Sequence, residues 1–108
     1  LVVDMGCVGL DLTCTEEQVS ICAKDSSGPY DYEMTTRLVN LAKKHGLDAV
    51  TDIYPRYSSD ALAVWRAGYD TRAALIGPGV QASHGMERTH IKGLMNTLEL
   101  CAAYLELI

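Results

Sequence analysis

"AALIGPGVQASHGMERTH", residues 73–90, holds an apolar run, a glycine-rich turn, and then two histidines, a glutamate and an arginine in quick succession. The run Ala73 to Gly79 reads as a buried strand, because it is short, apolar and bounded by turn-forming residues. From about Thr89 to Leu107 the pattern becomes helical, with Ile91, Leu94, Leu98, Cys101, Ala102 and Leu105 on one face. The intervening loop therefore leaves a strand and feeds a helix, a place where α/β proteins put ligand-binding groups. Its glycines lack the Lys-Ser/Thr of a phosphate loop and the G-x-G-x-x-G of a dinucleotide site. No G-x-S-x-G elbow accompanies Ser83 and His84, so nucleophilic serine chemistry has no support.

Three further strands are expected outward from this stretch: Leu1 to Gly6, Val19 to Asp25, and Ala49 to Pro55. A helix with Met34, Leu38, Leu41 and Ala42 on one face starts near Pro29 and Asp31 and ends at Lys43, Lys44, His45 and Gly46. A shorter one spans Ser59 to Ala67, with Gly68 as its stop. Alternating strands and helices predict an α/β class: a layered, mostly parallel sheet with flanking helices.

The composition excludes several functions. One domain suits 108 residues, and a chain 48% apolar and 21% charged has the balance of a globular protein. A net charge of -5 with dispersed basic residues gives no clustered face for nucleic acid. No run approaches the roughly 18 to 20 apolar residues of a membrane span, and no leader peptide stands at the front, so a cytoplasmic protein without a membrane partner is expected. The four cysteines lack C-x-x-C spacing and sit in apolar stretches, as buried free thiols would. The chain opens inside a strand at Leu1-Val2-Val3 without a polar lead-in, which reads as a segment of something longer.

Each candidate site residue has two readings. Asp4, at an otherwise apolar strand, is either hydrogen-bonded locally or holding a cation. His84 is either a solvated loop residue or a metal ligand through one ring nitrogen. His90 lies six positions on, off any shared helical face, and reads as a residue of the early helix. Asp60 suits the first turn of its helix, or a place behind a metal ligand. Glu87 and Arg88 form a charge pair at the start of the last helix or orient His84. Glu16-Glu17 invites a general-base reading, but adjacent glutamates between strands are ordinarily a solvated turn. Trp65 reads as core.

Taken in order, "VVDMG", "GPYDYEMTTRLVNLAKKHGLD", "YSSDA" and "IGPGVQASHGMERTH" resemble the C-terminal part of the catalytic domain of M42 metallo-aminopeptidases, over essentially the whole chain. The variant "SHGMERTH" is similar to a subgroup from bacterial operons for the osmoprotectant N-acetylglutaminylglutamine amide. The resemblance implies a zinc-exopeptidase-like fold and hydrolysis of N-terminal peptide bonds in short peptides. It implies two divalent ions, Zn²⁺, Co²⁺ or Mn²⁺, with Asp4 and His84 as ligands to different ions. Asp60 matches a T-D-A motif with serine in place of threonine, and Glu87 stands one position nearer its histidine than in relatives. The bridging aspartate, a second histidine and the Glu-Glu pair of relatives precede this segment, so Glu16-Glu17 is not that pair. No catalytic residue is expected here, and the segment by itself should be inactive. A homo-oligomer is implied through elements outside it. Rival readings are a non-catalytic α/β module and a carbohydrate hydrolase, since some relatives carry endoglucanase labels.

Overall fold

The computed structural model describes residues 1–108, in the order β1 (Val2–Val3), β2 (Gly6–Cys7), β3 (Val19–Asp25), β4 (Gly28–Pro29), α1 (Tyr32–Lys44), β5 (Ala49–Tyr54), α2 (Ala61–Arg66), β6 (Leu75–Val80) and α3 (Ile91–Tyr104). The expected class, an α/β sheet with flanking helices, is the one observed. β6 organises the sheet. β1 and β2 run parallel along one of its edges in a single register, Val2 opposite Leu75 and Gly6 opposite Gly79. On its other edge β6 runs antiparallel to β3, with Val19 opposite Pro78 and Cys22 opposite Leu75. β5 lies parallel to β3, and the short β4 folds back on the last residues of β3.

The anticipated strand over Leu1 to Gly6 is thus two pieces broken at Asp4-Met5. The shared register sets these two residues beside Gly77 and Pro78, and a proline nitrogen has no hydrogen to donate. Asp4 still donates its own N–H to Ile76 O at 2.9 Å. The sheet is mixed: of the strand pairings, those of β6 with β1 and β2 and of β3 with β5 are parallel, while β3 opposes both β6 and β4.

Alternation along the strands divides the core in two. Val19 and Ile21 of β3, with Ala74 and Ile76, face Leu38 and Ala42 of α1 and Leu100 of α3. Cys22 and Leu75 face the other way, onto Cys7, Tyr30, Tyr54 and Ala61. Trp65 packs against this second cluster, its ring 5.8 Å from that of Tyr30. α1 forms as read: the Asp31 carboxylate accepts from Met34 N–H at 2.9 Å, and Lys43 and Lys44 occupy its last turn.

α3 corrects the expected orientation. Ile91, Leu94, Leu98 and Leu105 are exposed, and the helix buries Gly93, Thr97, Leu100 and Ala103 instead. The reason is steric. A Cβ on Gly93 would lie 3.2 Å from Gln18 O and closer still to Glu16 O, so the backbone of α3 rests against the 16–18 segment. Small residues at Gly93 and Thr97 permit that approach, so Ile91, Leu94 and Leu98 are turned outward while Leu100, further along the same face, enters the core. No helix is long and apolar enough to cross a membrane.

The four cysteines are free, three of them buried. Burial, with Asp52 nearby, pushes the Cys14 thiol up to about 12, and burial, with Asp25 nearby, does the same for Cys22. Both stay protonated in the folded state at a pH where unfolded thiols ionise. Stability is therefore expected to be level below pH 9 and to fall as pH rises from 9 toward 12, in urea titrations across that range. Replacing both residues by alanine should lessen the decline without removing it, since burial also raises Cys7, Tyr30 and Tyr54. A second expectation concerns β6: a Cβ on Gly77 would lie 2.5 Å from the carbonyl carbon of Asp4 and 2.8 Å from Met5 Cα, far inside a normal contact. Gly77→Ala should lower unfolding free energy by about 3 kcal/mol or more. Gly46→Ala, at φ +66 in open space, should cost only about 1 kcal/mol in the same measurement.

Candidate functional site

A cavity of about 580 Å³ opens on the sheet face opposite α1 and α3. Asp4 and Met5 line it from the break between β1 and β2, and Tyr54 to Asp60 from the end of β5 and the start of α2. Asp25 enters from the end of β3, and Ser83 and His84 from the loop that follows β6. The antiparallel placement of β6 means that these groups do not share one row of strand ends. The cavity lies across the sheet, and the loop after β6 folds back to reach it.

Asp4, Asp60 and His84 are thus brought to one cavity. Asp4 is exposed, with Oδ1 accepting the N–H of Met5 at 2.8 Å. Asp60 stands at the N-terminus of α2 but makes no side-chain cap; Ser59 Oγ accepts the N–H of Ala61 at 3.3 Å. His84 is exposed in a left-handed conformation, φ 66, as is Ala82, φ 56. Such backbone is uncommon outside glycine and needs surrounding support.

Glu87 and Arg88 supply that support, from outside the cavity. Glu87 Oε1 accepts the backbone N–H of His84 at 3.1 Å, so it holds the main chain and not the ring. Gln81 and Arg88 close the base of the loop through two backbone hydrogen bonds, 2.8 and 3.1 Å. The Arg88 guanidinium spans Glu16 Oε1, at 2.8 and 3.0 Å, and also donates to Gln81 Oε1. The hydrogen bond and charge of Glu16 raise the Arg88 pKa.

Glu16 and Glu17 are engaged in ion pairs with Arg88 and Lys92, outside the cavity. His90 caps α3: its Nδ1 accepts the N–H of Lys92 at 3.1 Å.

Two acids passed over in the sequence prove to be architectural. Asp25, 1% exposed, accepts from Ser27 N–H at 2.8 Å, from the Ser27 hydroxyl and from the Tyr30 hydroxyl. Tyr30 is also 2.7 Å from Ser59 Oγ, which ties the β3–β4 turn to the cavity wall. Burial, and then the bond to Asp25, drive the Tyr30 pKa upward. Asp52 accepts the N–H groups of Thr13 (2.9 Å), Cys14 (3.2 Å) and Ile53 (2.8 Å), fixing the segment before β3. The available signal was a carboxylate interrupting an apolar strand, the same cost argument that singled out Asp4.

No three His, Cys, Asp or Glu side chains of the chain converge on a site that could hold a metal ion. Asp4 and His84 offer one carboxylate and one imidazole at one cavity, donor types that suit a divalent transition ion, in a number short of a full coordination set.

This α/β arrangement recurs in known aminopeptidases. A TET aminopeptidase from the marine sediment archaeon Thaumarchaeota archaeon SCGC AB-539-E09 superposes with TM-score 0.83 at 14% identity, covering 94% of this chain and 30% of that one. The TET1 peptidase of Pyrococcus horikoshii, which can assemble into a tetrahedron or a large octahedral shell, gives TM-score 0.78 at 18% identity over 94% of this chain and 31% of that one. In sequence, the chain is 49% identical over 106 residues to "Putative aminopeptidase YhfE" of Bacillus subtilis (strain 168), covering 98% of this chain and 31% of the relative. The profile of the M42 glutamyl aminopeptidases matches residues 1–100. The chain belongs to the M42 peptidase family, and it spans about a third of the length of these relatives.

The geometry makes Arg88 a support for the loop that carries His84. Arg88→Ala should speed amide hydrogen exchange at Gln81 and Arg88 about tenfold while leaving α1 unchanged. Unchanged exchange in the loop would show that the backbone bridge holds without the guanidinium.

Proposed function

We propose that the chain is part of the catalytic domain of a cytoplasmic, metal-dependent aminopeptidase that removes N-terminal residues from short peptides. The observation that carries this reading is the meeting of Asp4, from the first strand, and His84, from the last loop, at one cavity in a chain of the M42 family. Asp4 would offer its carboxylate and His84 its imidazole to different members of a pair of divalent ions, Zn²⁺, Co²⁺ or Mn²⁺. Such ions, when bound, polarise a scissile carbonyl and lower the pKa of water. The chain's own contribution is to bring these two donors to one cavity, with Asp60 adding negative charge to its wall.

Two donors alone bind a divalent ion weakly, so the 108 residues by themselves are proposed to be inactive. The remaining ligands and the general base would come from sequence ahead of the matched segment. A homo-oligomer is proposed on the likeness to a peptidase that forms closed shells. The "SHGMERTH" loop supports a place in the subgroup encoded beside N-acetylglutaminylglutamine amide genes.

For the polypeptide that carries these residues, hydrolysis of aminoacyl-nitroanilides should vanish in chelator and return with divalent ions. Activity that persists in chelator overturns the metal-dependent reading. Asp4→Asn and His84→Ala should each lower bound metal in elemental analysis, whereas His90→Ala should leave it unchanged. Equal losses at both histidines would reject the assignment of His84.

A further inference from the structure

The cavity that holds Asp4 and His84 has a neighbour. A second hollow of about 470 Å³ shares Cys7, Arg56, Tyr57 and Ser83 with it, so the two are lobes of one cleft joined at those residues. The lobes differ in chemistry. The first carries Asp4, Asp25, Asp60 and His84. Val8, Leu10, Leu12, Pro55 and Val80 bring apolar side chains to the second, whose exposed lining is as much polar as apolar, with Asp11 as its one acid.

Arg56 stands at the junction. It is the only lysine or arginine lining either lobe, it is exposed, and it enters none of the four ion pairs of the chain. The guanidiniums of Arg37, Arg72 and Arg88 are all engaged with glutamates. The buried acid of the first lobe is already engaged, since Asp25 takes three donors from Ser27 and Tyr30. Leu10, 96% exposed at the turn closed by the bond from Leu12 N–H to Gly9 O, presents an apolar side chain to the second lobe with nothing packed over it.

We propose that the second lobe receives the side chain of the residue after the scissile bond, and that Arg56 binds the free carboxylate of that residue, making dipeptides with an apolar second residue the preferred substrates. This rests on the aminopeptidase reading of the first lobe. In a dipeptide the carboxylate and the side chain leave the same carbon, so a cation at the junction and an apolar hollow beyond it are reached together. A longer peptide places a neutral amide opposite Arg56 and loses the charge-assisted bond. An acidic second residue meets the like charge of Asp11, which disfavours it.

Binding by the whole polypeptide that carries these residues, stripped of metal and followed by NMR titration, tests this without turnover. Alanyl-leucine should bind about tenfold tighter than alanyl-leucinamide, the worth of one charged hydrogen bond. Arg56→Gln should bring the two to within about twofold, and Arg56→Lys should restore part of the difference. Leu10→Ser, at a residue too exposed to unsettle the fold, should weaken alanyl-leucine about threefold and alanyl-glycine less. Equal binding of acid and amide, a difference that survives Arg56→Gln, or no binding of either peptide to a chain with a dispersed, folded spectrum would each overturn the proposal. Failure of nitroanilide hydrolysis in chelator-free buffer, with these binding differences intact, would instead remove the peptidase reading and keep the cleft.

Discussion

The approach of backbone to backbone at Gly77 and Gly79 is the constraint on which the rest depends. β6 has neighbours on both edges, and at these two positions the main chain of Asp4-Met5 and of Thr15 lies where any side chain would be; a Cβ on Gly79 would stand 2.7 Å from the carbonyl carbon of Thr15. The glycines carry no phosphate-binding role. They let the strand that launches the His84 loop lie directly against the strand break that presents Asp4. Pro78 between them withholds a donor where that break falls. An acid near the start of the chain and an imidazole in its last quarter come to one cavity because of a three-residue pattern, Gly77-Pro78-Gly79, in β6.

Much of the architecture was legible in the amino-acid order. The capping of α1 by Asp31, the strands over Val19–Asp25 and Ala49–Tyr54, and the free buried cysteines all follow from local chemistry. Strand direction did not. A strand–helix–strand order favours a parallel neighbour, but here β5 and β6, joined through α2, are not neighbours; β3 lies between them, and β6 runs against it. The orientation of α3 was illegible for a different reason. Hydropathy selects the leucine stripe, whereas the contact is decided by how close Gly93 lets the helix come, and that depends on the Glu16–Gln18 main chain, distant in sequence.

The acids around the cavity divide by burial. Asp25 and Asp52, sunk in the protein, each accept three hydrogen bonds, which is how a carboxylate tolerates removal from water. Their role is to pin turns: Asp25 reaches through Tyr30 to Ser59, and Asp52 clamps the segment ahead of β3. Asp4 and Asp60, by contrast, are exposed and engage little of the protein. Sequence position alone does not separate these roles, because an isolated aspartate in an apolar stretch looks the same before its donors are known. In three dimensions the count of donors sorts them: Asp4 and Asp60 at the cavity wall are left available for a ligand, while Asp25 on the same wall is not.

His84 carries the strongest local evidence of purpose. A left-handed residue with a β-carbon costs roughly 1 to 2 kcal/mol, and this loop holds two, Ala82 and His84. Packing does not require histidine there, since the side chain is exposed. Glycine would relieve the strain, and one stands immediately after it, at Gly85, in a position where φ is not positive. The loop instead keeps an imidazole in the strained position and holds it with the Glu87 carboxylate on its N–H and the Arg88 clamp at its base. Strain maintained by surrounding bonds, at an exposed residue lining a cavity, is the local observation that supports the role proposed for the His84 ring.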